Sequence, residues 1–295
     1  MASGPPAASS ASIATPSCAA PVPPDSTPTT LRTSVWLFPP RTREVQLDEK
    51  WSYVARKPKT CDPFDPADDH HGDGWDHVAL DPEHRLVLAV VPGARSLECA
   101  WELLAEVRKR TGPEPPRLLT SDEYAVSATV ILAVVGVPHA ETARGPGRPP
   151  LVPERRLPDE LTSATVHTER AHDRVVAIER RLLAGTESGL RAALDASTVS
   201  VTIKTSFVER QHGTDRGHNA RKARQTYRFS KDWRVHEART YSTLYSDNFC
   251  WVVRTRRQRE ERGFWQQRTP AMAAGLTDHV WSLREWVRFP AVQVA

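Results

Sequence analysis

Cysteine is scarce in this 295-residue chain: Cys18, Cys61, Cys99 and Cys250 are scattered, with no C-x-x-C pair among them. Such spacing supplies neither a structural zinc site nor a disulfide framework, so reduced thiols are expected. Long apolar runs are missing too. The longest, 128–137, is about half of the roughly 20 residues that a membrane span requires, and no basic stretch followed by an apolar one opens the chain. These absences exclude membrane-spanning and disulfide-rich secreted classes and predict a soluble, cytoplasmic protein. A large net charge is also lacking, at +4 from 40 basic and 36 acidic residues. Where the charge sits therefore says more than how much there is.

Residues 1–33 are Pro, Ala, Ser and Thr with almost no charge and no periodicity, a composition that cannot bury enough apolar surface to offset chain entropy. They are expected to be a disordered tail. From Val45 the pattern becomes alternating. VQLDEKWSYV reads as a strand, and two apolar runs, 77–80 and 85–91, flank the turn sequence DPEH and read as a hairpin. Leu97, Ala100, Trp101, Leu104 and Val107 fall at helical spacing within 96–110. A short strand then ends at Asp122, followed by a helix over 124–135. Residues 139–198, opening on a basic Pro-rich connector with GPGRPP, read as an insertion holding a hairpin and a short helix over 187–195. A last strand over 199–203 precedes a polar helix from Ser206 and a second helix over 232–248. The reading is α/β, with a main domain over 34–257 and a helical extension over 258–295, where Trp281, Trp286 and Phe289 suggest core packing.

Three carboxylates stand where the local pattern does not require them. On the opening strand Val45, Leu47, Glu49, Trp51 and Tyr53 share one face, and Gln46, Asp48, Lys50 and Ser52 the other. Asp48 thus belongs to a polar face, whereas Glu49 lies among apolar neighbours and should need a basic residue or backbone donor beside it. Asp122 ends a strand, where ligand crevices form in α/β folds. Glu209 lies in the first turn of the polar helix. Together they would suit a hard divalent cation. Each has a plainer alternative: Ser206-x-x-Glu209 matches a capping box, Asp122 could cap the next helix, and either acid of the opening strand, Asp48 or Glu49, could be a solvated edge residue. The surroundings of Glu209 favour chemistry, because 209–234 holds eight Lys or Arg against three acids, with His212, His218, Asn219 and Tyr227 interleaved. A carboxylate beside phosphate-binding cations suggests phosphodiester chemistry.

The motifs LDEKW, WDHVALDPEHRLVLAVVPGARS, LLTSDEY and TSFVERQHGTDRGHNARKARQTYRFSKDW, with RTPAMAAGL near the end, resemble those of bacterial DDE-class insertion-sequence transposases, most closely the insertion-sequence-one, InsB-like type. The resemblance runs from about Arg43 to Phe289. It implies a ribonuclease-H-like mixed sheet flanked by helices, with Asp48, Asp122 and Glu209 as the catalytic, metal-binding set and Glu49 and Glu123 as neighbours. It implies two Mg²⁺ or Mn²⁺ ions, hydrolysis at element ends and attack of the freed 3′-hydroxyl on target DNA. Arg210, Arg216, Arg221, Lys222, Arg224 and Arg228 would hold the DNA backbone. The implied partners are double-stranded DNA, as element ends and as target, and further copies of the chain on that DNA. The implied location is the bacterial cytoplasm, at the nucleoid. An element-end-binding module, usual before the first catalytic strand, is not evident in 1–33 or the short lead-in, so a separate DNA-binding protein or domain is expected.

Two other classes fit the same residues: a nuclease of the same fold that joins no ends, and a catalytically idle DNA-binding remnant. The acidic loop CDPFDPADDHHGDGWD lacks the register of a Ca²⁺ loop and reads as solvated, as do His70 and His71. GPGRPP with Arg144 resembles minor-groove hooks, but a plain basic linker is the preferred reading of so short a motif.

Overall fold

The computed structural model describes residues 41–289 apart from 63, 69, 112–113, 123–127, 139–154, 173 and 262. The tail over 1–33, GPGRPP, Glu123 and the expected helix start at Tyr124 lie outside the described residues. Alternation in VQLDEKWSYV produces strand β1, Glu44–Val54. The DPEH turn joins β2, Gly72–Asp81, to β3, Leu86–Gly93, as an antiparallel pair. Helix α1, Leu97–Thr111, leads to β4, Leu118–Asp122, and α2, Ala128–Val135. After these come β5, Thr162–Ala171, β6, Arg174–Ala184, and α3, Glu187–Asp195. Two longer helices, α4 over Ser206–His218 and α5 over Trp233–Cys250, precede the short α6, Pro270–Ala273, and α7, Leu283–Arg288.

The six strands form one mixed sheet in the order β3-β2-β1-β4-β5-β6. β1, β4 and β5 run parallel, while β2, β3 and β6 pair antiparallel to their neighbours. Helices cover both faces. Val45 and Leu47 point to the side where α1 and α2 pack, with Leu103, Leu104, Val107 and Ile131 in the buried core. The opposite face carries α4 and α5, which present Val208, Tyr241, Leu244, Tyr245 and Phe249. The Asn248 side chain ties α5 to the sheet, accepting from Val87 N and donating to Val87 O, both at 2.9 Å. The C-terminal aromatics attach to the same helix: Phe249 lies 4.8 Å from Trp281 and 5.6 Å from Trp286, ring to ring.

Three expectations change. The segment 199–203 is not a strand; its carbonyls are taken by side chains, Arg180 Nε donating to Ile203 O and Lys204 Nζ to Val199 O. The hairpin expected within an insertion supplies β5 and β6, and β5 pairs with β4 along that strand's whole length. Cys61 and Cys250 are free thiols, but Cys99 is disulfide-bonded, unlike the reduced state expected for all four.

Candidate active site

Strand β1 separates Asp48 from Glu49, as alternation requires. The Glu49 side chain is buried, and its Oε2 accepts a hydrogen bond from Arg95 Nε at 3.3 Å while His77 Nδ1 lies 3.8 Å from Oε1. A basic partner stands where the apolar surroundings of Glu49 called for one.

The other face of β1 receives helix α4. Gln46 Oε1 accepts from the backbone N–H groups of Phe207, at 3.1 Å, and Val208, at 3.3 Å. A strand side chain thereby satisfies donors that a helix start leaves open. The flanking Thr205 gives no side-chain cap, and its hydroxyl instead donates to Glu209 Oε1 at 2.8 Å. The capping-box alternative for Ser206 and Glu209 is therefore not what forms. Farther along, His212 Nε2 sits 3.2 Å from Asp48 Oδ2, an ion-pair distance without hydrogen-bond alignment, and both buried ring nitrogens lack a hydrogen bond. Asp48 Oδ1 accepts from Glu49 N at 2.8 Å, and its side chain keeps 13% exposure.

Asp122 enters from the neighbouring strand. The parallel register pairs Leu47 with Ser121, so Asp48 and Asp122 follow at one level and on one face of strands roughly 4.8 Å apart. Glu209 is exposed on α4, and the 3.6-residue turn sets it on the same flank as His212 and Arg216. Arg216 lies close enough to Asp48 and Asp76 for both to favour its charge, although burial and the nearby Arg224 pull its pKa below the usual value.

The basic residues divide. Arg210, Arg224 and Arg228 are exposed, and Arg216 and Arg221 are partly so. Lys222 is a correction: its ammonium is buried, donating to Asp76 Oδ2 at 2.5 Å and to Thr240 Oγ1, and it cannot reach a DNA backbone. It belongs to a buried network along the polar face of β1, where Lys50 pairs with Asp215 and lies 3.1 Å from Asp76. Two ammonium groups thus face two carboxylates. Despite its burial, Asp76 is held well below the usual carboxylate range by Lys222 and Lys50. Burial lowers Lys50 to about 8 against the pull of Asp76, and lowers His236 to about 4 with the help of Lys222. No local signal marked this network, since Lys50 and Asp215 are 165 residues apart. His212 was visible only as one of several polar residues on a basic helix.

Three carboxylates make a donor set suited to a hard divalent cation, and the orphaned nitrogens of buried His212 beside Asp48 show polar capacity at that point not used by the protein. Among the described residues, however, no three His, Cys, Asp or Glu side chains converge on one coordination shell. The sheet brings Asp48 and Asp122 together, while Glu209 is turned to Thr205. The acidic loop is organised by Asp68, which accepts from Asp62 N at 2.8 Å and pairs with His71 Nδ1 at 2.6 Å. No protein-family model matches the chain, and no curated protein shows significant sequence similarity to it.

Proposed function

We propose that this protein is a DDE-type transposase on a ribonuclease-H-like core, acting on double-stranded DNA with Mg²⁺ or Mn²⁺. The observation that carries the reading is the placement of Asp48 and Asp122 at one level on the central parallel strands of a β3-β2-β1-β4-β5 order, under a helix that carries Glu209. Asp48 and Asp122 would hold the cations from the sheet, and Glu209 would leave Thr205 to complete the set. When bound, such cations lower the pKa of water and stabilise charge on a phosphoryl group. His212 would hold Asp48 in its present rotamer. Arg216 would offset phosphate charge beside the carboxylates, and Arg221, Arg224 and Arg228 would grip the backbone by charge rather than by sequence.

The alternatives are a nuclease of the same fold and an idle DNA-binding remnant, and one assay separates all three. Labelled duplexes carrying the sequences that flank the coding region are incubated with the protein, Mg²⁺ and an unlabelled second duplex. The transposase reading expects cleavage that leaves a 3′-hydroxyl, then joining of that end to the second duplex. Cleavage without joining identifies the nuclease, and salt-sensitive binding with neither step identifies the remnant.

A further inference from the structure

Helix α4 has a second flank, turned away from Glu209, His212 and Arg216. Phe207, Arg210, Gln211, Thr214 and His218 fall on it by helical spacing, and they line a cavity of about 320 Å³ closed by Arg85, Asp247, Trp251 and Arg254. Three guanidinium groups therefore border one cavity. Among the described residues, none of Arg85, Arg210 and Arg254 forms a salt bridge or a side-chain hydrogen bond, and Arg85 Nε is buried without a partner. Arg85 instead rests on the Phe207 ring, 3.5 Å from its centroid. Burial, then repulsion from Arg256 and Arg210, lowers Arg85 to about 10, with only Glu44 opposing.

The acids nearby do not neutralise this charge. Asp247 is committed to His218 Nδ1 at 2.7 Å and Gln211 Nε2 at 3.2 Å, and Glu44 to Ser197, Ser200 and Gln46. Arg85 is half-buried and Arg210 and Arg254 are exposed, so an anion entering the cavity meets one partly desolvated cation, which it stabilises, and two solvated ones. Beside them His218 stacks on the indole of Trp251 at 4.3 Å, and Trp251 is still 47% exposed. An aromatic platform next to a guanidinium cluster is the arrangement that binds a single-stranded nucleotide, with base on ring and phosphate on cation. The volume is at the lower end of that of small-ligand sites and matches one nucleotide rather than a duplex.

We propose that this cavity binds one nucleotide of an unpaired DNA strand, its phosphate held by Arg85, Arg210 and Arg254 and its base at the His218–Trp251 stack. The choice of DNA rests on the transposase reading; the site itself does not involve Asp48 or Asp122. It would hold a displaced or unpaired end on the opposite side of α4 from the carboxylates.

The test is equilibrium binding of a fluorescein-labelled oligo-dT of about ten nucleotides to the full chain in EDTA, read by anisotropy. The double variant Arg210→Gln/Arg254→Gln is expected to weaken binding about tenfold or more and to lower the salt slope by up to about 0.7, the value for one phosphate of a single strand. Trp251→Ala is expected to weaken it at least about fivefold with an unchanged salt slope. Asp48→Asn, which the transposase reading requires to be inactive, should bind as wild type does, so the two accounts fail separately. Near-wild-type binding by both cavity variants, with unchanged circular dichroism, overturns the site. Replacing the oligomer with dTMP distinguishes a strand from a free nucleotide: much weaker binding is expected, and equal affinity would overturn the strand assignment.

Discussion

Asp76 faces two ammonium groups with no solvent contact, so its ionisation and the fold are linked. Removing one partner of a buried charge network typically costs about 3–5 kcal/mol, and Asp76→Asn is expected to lose that much at neutral pH in urea denaturation. The pH dependence follows from the directions of the shifts. His236 is depressed from its ordinary 6.5 to about 4, so between those values the unfolded chain binds more protons and stability falls as pH falls. Asp76 is depressed too, so below its ordinary 3.8 the unfolded chain again takes up protons first and stability falls further. His236→Gln should flatten the upper interval, worth up to about 3 kcal/mol, and leave the lower one in place. Retention of the full loss between pH 6.5 and 4 in that variant would show that another group titrates there. At this scale the sequence separates Asp48 from Glu49 through alternation alone, and the need of Glu49 for a basic residue or backbone donor follows from its apolar neighbours, although the sequence does not single out Arg95. It does not separate Lys222 from Arg221 or Arg224, because a run of cations looks solvated until the carboxylates it meets, here Asp76 146 residues away, are in place.

The start of helix α4 is tied to one side chain of β1. Gln46 satisfies two backbone donors at the helix start, and Gln46→Leu would leave both without that acceptor in a buried setting. The expected cost is about 1–3 kcal/mol in stability, with faster amide hydrogen exchange over 206–210. Unaltered exchange there would mean that the helix is held by Val208 and Asp215 alone. The elements with strong local patterns, β1, the β2–β3 hairpin, α1 and α3, were legible because alternation, turn residues and 3.6-residue spacing are local. The sheet order was not. β5 is buried only over its first turns of pleat, around Thr162–Thr165, and exposed beyond, so its composition reads as a peripheral hairpin although it sits beside β4. The alternation of Val199, Val201 and Ile203 reads as a strand, yet among the described residues no strand pairs with that segment. Face polarity misleads in a related way: Gln46, Lys50 and Ser52 look solvent-facing but are buried under α4 and α5 by ion pairs and caps.

For the whole molecule, no helix among the described residues is long and apolar enough to cross a membrane, and the exposed cations of 210–228 lie on and just after α4. If Arg216, Arg221, Arg224 and Arg228 contact duplex phosphates, the logarithm of the affinity should fall with the logarithm of salt at a slope near −3.6, and Arg224→Gln/Arg228→Gln should reduce its magnitude by about 1.8. A slope near zero in the intact chain would remove this surface from the account. The central claim concerns Asp48, Asp122 and Glu209 acting together, and the most direct measurement is Mg²⁺-dependent joining of a labelled 3′-end to target duplex by wild type and by Asp48→Asn, Asp122→Asn and Glu209→Gln. The account predicts joining by wild type that EDTA abolishes, and a loss of about a hundredfold or more in each variant with unchanged circular dichroism. Joining at the wild-type rate by any one of the three variants would contradict it.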